Sequence, residues 1–188
     1  VNSKNINYSN AKTDDQLQQI LILQQSNLAA NIDSDTFKSQ GFVTAQHDFD
    51  LLKEMNQNQA HAIALDGDLV VGYALSMTLE FSNRLPVLVP MFEMISSLKY
   101  QGLAMDAFKY FIMGQVCIAA NYRSTGIFSG LYQQLKRENS NKYDFIITEI
   151  DHRNTRSFAA HKKVGFELLH QYSSESGVNW DLVIWDWK

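Results

Sequence analysis

Apolar positions change their period several times along the chain, and each change marks an element. Residues 4–9 predict a short first strand. From Asp14 to Gln25, Leu17, Ile20, Leu21 and Leu23 recur at helical spacing, with Thr13 as N-cap. Residues 26–46 are polar and mixed, a short helix or loop ending near Gly41-Phe42. Asp48–Asn58 predicts a second helix, because Phe49, Leu52 and Met55 fall on one face. Two apolar runs, His61–Leu65 and Leu69–Thr78, then flank Asp66-Gly67-Asp68, and Asp-Gly between such runs is a hairpin signal.

Glu80–Met105 breaks the pattern. It holds Pro86 and Pro90, the chain's only prolines, and a helical run Met91–Leu98 whose first turn suits Pro90. This reads as a helical insertion at about 81–110 between strands. Phe111–Ala119 is an apolar strand interrupted at Gly114 and Gln115. Gly126–Glu138 is a helix with Ile127, Leu131 and Leu135 on one face. Tyr143–Ile150 is apolar on both faces, as in a strand buried under helices. Asn154–Val164 is a helix closed by Gly165, and Glu167–Tyr172 with Val178–Trp187 forms a last antiparallel pair. The order predicts an α/β (α+β) fold: one domain over residues 1–188, with a mixed, twisted sheet of about seven strands flanked by helices. Strand 111–119, helix 126–138 and strand 143–150 form a parallel crossover unit.

Composition narrows the function classes. In 188 residues, 45% apolar and 19% charged content is that of an ordinary globular protein. A net charge of -4 with scattered lysines and arginines argues against nucleic acid as partner. One cysteine excludes a disulfide scaffold and a cysteine-rich zinc site, and the scattered histidines make no metal motif. No apolar run approaches membrane-spanning length, and no signal segment opens the chain, so the expectation is a cytoplasmic protein without membrane contact.

The candidate chemistry begins at Asn121-Tyr122-Arg123-Ser124-Thr125-Gly126, which joins an apolar strand to an amphipathic helix. Free N–H groups at a helix start, with the helix dipole, attract phosphate. Gly126 allows close approach, Arg123 supplies charge, and Ser124 or Thr125 supplies hydroxyls. An ordinary capped turn has the same composition. Neither a dinucleotide fingerprint nor a P-loop is present.

The segment QVCIAANYRSTGIFSGLYQQL resembles the acyl-CoA motif of the GNAT N-acetyltransferase superfamily, Arg/Gln-x-x-Gly-x-Gly/Ala. Arg123 and Gly126 match. Phe128 stands where glycine or alanine is usual, so its ring must turn into the core or narrow the cofactor entrance. The segment EIDHRNTRSFAAHKKVGFE resembles the family's later motif at Asn154, Ser157, Gly165 and Phe166. The resemblance covers roughly residues 60–172. It implies acetyl-CoA as the cosubstrate. Val116, Cys117 and Ile118 would pair with pantetheine as an added strand. The N–H groups of Arg123–Ile127 would take the pyrophosphate, and Asn154 with Ser157 would meet the pantetheine or acyl end.

His161 holds the place of the family's tyrosine, a proton donor to the departing thiolate, and can act so if protonated. Tyr132 and Tyr143 are alternative phenols. Glu149, at the end of the central strand among Phe145 and Ile147, is the preferred general base, since burial raises a carboxylate's pKa. The competing reading is a salt bridge to Arg153 or Arg156. Glu80 is a second candidate base, and Glu93 a third. Cys117 reads as a buried small hydrophobe rather than a nucleophile. Trp185 and Trp187 share a face and read as core or dimer packing, or as an aromatic wall for a cationic amine. The insertion, with Phe92, Met94 and Tyr100, is a candidate substrate lid or homodimer contact. The leading expectation is acetyl transfer from acetyl-CoA to a primary amine, carried on a small molecule or a protein. A CoA-binding or sensing module without catalysis is the runner-up, and an oxygen acceptor is a third reading.

Overall fold

Local signals place most elements where the pattern puts them. The computed structural model describes residues 5–28 and 46–188, so most of the helix or loop expected over 26–46 lies outside the described residues. β1 spans Ile6–Asn10. α1 spans Asp14–Gln25, and Thr13 caps it in a box with Gln16. α2 spans Phe49–Asn58, with the Asp48 carboxylate accepting from Leu51 N–H. β2 (Ala62–Asp66) and β3 (Leu69–Met77) form the expected hairpin. α3 covers Val89–Ser97 with Pro90 in its first turn.

The insertion also contains a small hairpin that the pattern did not predict, β4 (Lys99–Tyr100) and β5 (Leu103–Ala104). Gln101 and Gly102 turn it with φ of 49° and 82°, the two positive dihedrals of a type I′ connection. The later elements are β6 (Tyr110–Ile118), α4 (Ile127–Asn139), β7 (Phe145–Asp151), α5 (Thr155–Val164), β8 (Glu167–Ser173) and β9 (Asn179–Asp186). β6 runs unbroken through Gly114 and Gln115, which corrects the predicted interruption. The Gln115 amide is buried, but its Oε1 accepts from Tyr73 Oη at 2.6 Å and from Gln24 Nε2 at 2.8 Å. A satisfied polar group can sit inside a strand without breaking it.

The seven main strands form one mixed sheet in the order β1-β2-β3-β6-β7-β9-β8. β6 and β7 are parallel, pairing Tyr110 with Phe145, Phe111 with Ile146 and Ile112 with Ile147. β9 lies between β7 and β8, antiparallel to both. Among the described residues, no helix is long and apolar enough to cross a membrane.

By contact density the chain divides into two compact units, and β6 belongs to both. The first comprises residues up to Ser76 with Gly114–Glu138. Its core joins Leu17 and Ile20 of α1, Leu52 of α2, and Ile63, Tyr73 and Leu75 of the hairpin. On α4, a Cβ at Gly130 would lie 2.1 Å from the Tyr8 ring, so only glycine lets β1 lay that ring on the helix. The interior histidines are structural. Ser76 N–H donates to His61 Nδ1, which leaves Nε2–H to donate to Leu52 O. Burial lowers the His61 pKa to about 3 and that of His47 to about 4.

The second unit comprises Met77–Met113 with Asn139–Lys188. Tyr100 of the insertion lies edge-on to Phe145 at 5.3 Å, and its hydroxyl donates to Asp186 at 2.9 Å. Trp185 is buried and meets Trp187 edge-on at 5.7 Å, while Phe111 lies 5.9 Å from Trp187. Trp185 packs in the core, and Trp187 is half-buried beside it.

Candidate acyl-transfer site

In the first unit, β6 leads into a turn held by its own groups and by β2 and β3. Ala119 N–H donates to Val71 O at 2.9 Å, and Ala120–Tyr122 make one 3-10 turn. Tyr122 Oη anchors to Asp66 at 2.7 Å, and Thr125 Oγ1 donates to Tyr122 O at 2.6 Å. Ser124 and Gly126 take φ of 62° and 90°, two left-handed positions flanking Thr125. α4 begins with Gly130 N–H donating to Gly126 O. Among the described residues, the N–H groups of Thr125, Gly126 and Ile127 have no protein acceptor. A Cβ placed at Gly126 would meet no atom within 4 Å, so the turn is open as well as donor-rich. The residues present suit a phosphate at a helix start.

Arg123 is placed differently from the simple expectation. Its Nε donates to Ile118 O at 3.2 Å and its Nη2 to Asn27 Oδ1 at 2.5 Å, so the guanidinium ties β6 to the end of α1. Phe128 turns its ring onto Tyr132, 5.0 Å away. Val116 and Ile118 are half-buried and alternate with buried Gln115 and Cys117. Burial raises the Cys117 thiol to about 11, which keeps it protonated.

In the second unit, Asn154 caps α5 by accepting from Ser157 N–H at 3.1 Å. His161 Nδ1 lies 2.8 Å from Ser157 O, and a carbonyl only accepts, so this nitrogen carries the proton. Burial lowers the His161 pKa to about 4, so the ring is neutral at pH 7. It stands edge-on to Phe166 at 5.1 Å, and Phe166 lies 5.7 Å from Trp185.

Glu149 lies on the other face of the β7-β9-β8 sheet. Its cross-strand partner is Leu182, whereas Trp185 pairs with Ile146, one face away by the period of two. Structure therefore separates Glu149 from His161. Burial pushes the Glu149 carboxyl up to about 7, partly offset by a hydrogen bond from Tyr172. The salt bridge weighed from sequence is not made by Arg153, which pairs with Asp151 at 2.6 Å. Glu80 sits exposed after β3, where Thr78 Oγ1 donates to it at 2.9 Å.

Three hydrogen-bonding partners escaped the sequence reading: Asn27, Tyr172 and Asp181. Asp181, buried on β9, accepts from Gln171 at 2.6 Å and lies 3.1 Å from His152 Nδ1. Each meets its partner only through tertiary placement, so no spacing could have revealed it.

The chain matches no family model and no curated protein by sequence. Solved structures do match. A chain of the NatC complex bound to Gag peptide and CoA aligns with a TM-score of 0.65 at 11% identity, covering 97% of this chain and 99% of that one. A GNAT-family acetyltransferase from Streptococcus agalactiae gives 0.65 at 14% identity, with 97% and 96% covered. The fold is that of the GNAT acetyltransferases. An N-acetyltransferase from Staphylococcus aureus Mu50 gives 0.62 at 18% identity, with 98% and 99% covered.

Proposed function

We propose that this chain is an acyl-CoA-dependent N-acyltransferase that moves acetyl from acetyl-CoA to a primary amine. The observation that carries the proposal is the open, donor-rich turn at Thr125–Ile127 heading α4 within a GNAT fold. A matching chain of that fold belongs to a complex holding CoA and a peptide. In this reading the turn takes the pyrophosphate, with help from Ser124. The backbone of Val116–Ile118 receives the pantetheine as an added strand. Arg123 shapes the turn through Asn27 and Ile118. Asn154 and Ser157 enter through the motif resemblance, with the Asn154 carboxamide oxygen already engaged in capping.

Glu149 is the general base. A carboxyl titrating at about 7 is half ionised at neutral pH and matched to proton transfer there. The amine nitrogen bonds to the thioester carbonyl carbon, its proton passes to Glu149, and the C–S bond breaks to release CoA thiolate, which water protonates. The acceptor is a small-molecule amine or a protein amine.

A CoA-binding module without catalysis is the second reading, and the neutral, buried His161 favours it: the position that holds a tyrosine in the family carries no titrating donor at pH 7. Thiol release from acetyl-CoA against a panel of polyamines, amino acids, aminoglycosides and peptide N-termini separates the two. Release with an amine, abolished in Glu149→Gln while CoA still binds, is the expected result. CoA binding with no release across the panel sinks the enzyme reading. Absence of CoA binding by calorimetry sinks both.

A further inference from the structure

Glu149 is gripped from two strands away. On β7 it faces Leu182 of β9, and Leu182 in turn faces His170 of β8. Tyr172 lies two residues beyond His170 on the same face. Its side chain runs diagonally back over β9 and donates its hydroxyl hydrogen to Glu149 Oε2 at 2.5 Å. Two strand spacings come to roughly 10 Å, which only two long side chains reaching toward each other can bridge. Asp151, Glu167, His170 and Asp186 share this face, with Glu167 opposite Ile184 of β9. Asp151 pairs with Arg153, and Asp186 takes the Tyr100 hydroxyl at the far end of the strands. His170 stands beside Tyr172 on β8. Among the described residues, the Tyr172 hydroxyl is the one hydrogen-bond donor to the Glu149 carboxyl.

We propose that Tyr172 is the positioning residue for Glu149: by donating to Oε2 it stabilises the carboxylate form and leaves Oε1 as the oxygen that receives the amine's proton. This rests on the reading of Glu149 as the base. The hydrogen bond favours the charged form against burial, so its loss raises the titration midpoint further. The phenol itself is held well above its ordinary range by burial and by the carboxylate beside it, so Tyr172 remains a donor throughout.

The test titrates the Glu149 carboxyl by carbon NMR on glutamate-labelled protein without substrate, with Glu149→Gln assigning the signal. In Tyr172→Phe the midpoint is expected to rise by about one unit. That lowers the ionised fraction at pH 7, and with it kcat/KM for thiol release with the best amine of the panel, by roughly fivefold. The loss should be recovered near pH 9, with the KM for acetyl-CoA unchanged. An unmoved midpoint, or a loss that alkaline pH does not restore, overturns the proposal. If Tyr172→Phe fails to fold, the wild type decides. The ring-carbon signal of Tyr172 must follow the Glu149 midpoint, and independent midpoints overturn the proposal. These titrations need no turnover, so a wild type that releases no thiol overturns the base reading while the NMR still judges the hold of Tyr172 on Glu149.

Discussion

The turn in the first unit and the carboxyl in the second are built in opposite ways. Residues 119–127 offer backbone: three N–H groups without an acceptor among the described residues, beside two left-handed residues at the head of a helix. Such a device is encoded within a few consecutive residues and tolerates changes of side chain. The Glu149–Tyr172 pair is made of two side chains that are 23 residues apart in sequence and meet over a third strand. That device depends on strand order and fails when either partner changes. Binding, on this reading, is robust and local, while proton transfer is fragile and assembled.

This contrast is open to direct attack. The largest effect is expected for Glu149→Gln, which should lower kcat for thiol release by about 10²–10⁴-fold and leave CoA affinity within a few-fold, as calorimetry would read. Equal losses of binding and rate would erase the distinction. Next comes the acid response. Below the ordinary histidine pKa, the unfolded chain takes protons that His47, His61 and His161 refuse in the fold, with pKa values of about 4, 3 and 4. Their contribution to stability is present above 6.5 and is lost as pH falls toward 4. Glu149 works the other way: with its pKa raised from 4.5 to about 7, it costs stability as pH rises through that window. Three groups outnumber one, so urea midpoints should fall between pH 6.5 and pH 5. The fall should be steeper in Glu149→Gln.

Gly126→Val places a β-branched residue at a φ of 90°, a strain of about 1–2 kcal/mol. It should lower the melting temperature and weaken CoA binding together. Gly130→Ala, with its Cβ only 2.1 Å from the Tyr8 ring, should cost about 1–3 kcal/mol without touching the turn. Much of that should return in a double variant with Tyr8→Ala. The smallest effect tests the backbone claim. Ser124→Gly relieves a non-glycine φ of 62° and should stabilise by about 1 kcal/mol or less while CoA binding persists. A large loss of binding would mean that the Ser124 hydroxyl, and not the turn, carries the recognition.

Much of this molecule was legible because its signals are short-range. Thr13 and Asp48 cap the helices they precede, Asp66-Gly67 turns its hairpin, and Asn154 and Gly165 bound one helix. Gln115 misled the reading because a polar residue in an apolar run looks like an interruption until Tyr73 and Gln24 are seen to satisfy it. The β4–β5 hairpin was hidden by its two-residue strands, too short for any period to register.

By itself, then, the sequence determined the order of elements, the mixed sheet and the glycine turn ahead of α4, since periodicity, caps and left-handed glycine act between near neighbours. Tertiary structure decided the rest. It inserted β9 between β7 and β8, set Glu149 and His161 on opposite faces, and drew Arg123 back to Asn27. It also moved the Glu149 titration up to about 7 and that of His161 down to about 4. The physical reason is desolvation. A group's charge state follows what surrounds it in space, and no run of neighbouring residues states what that will be.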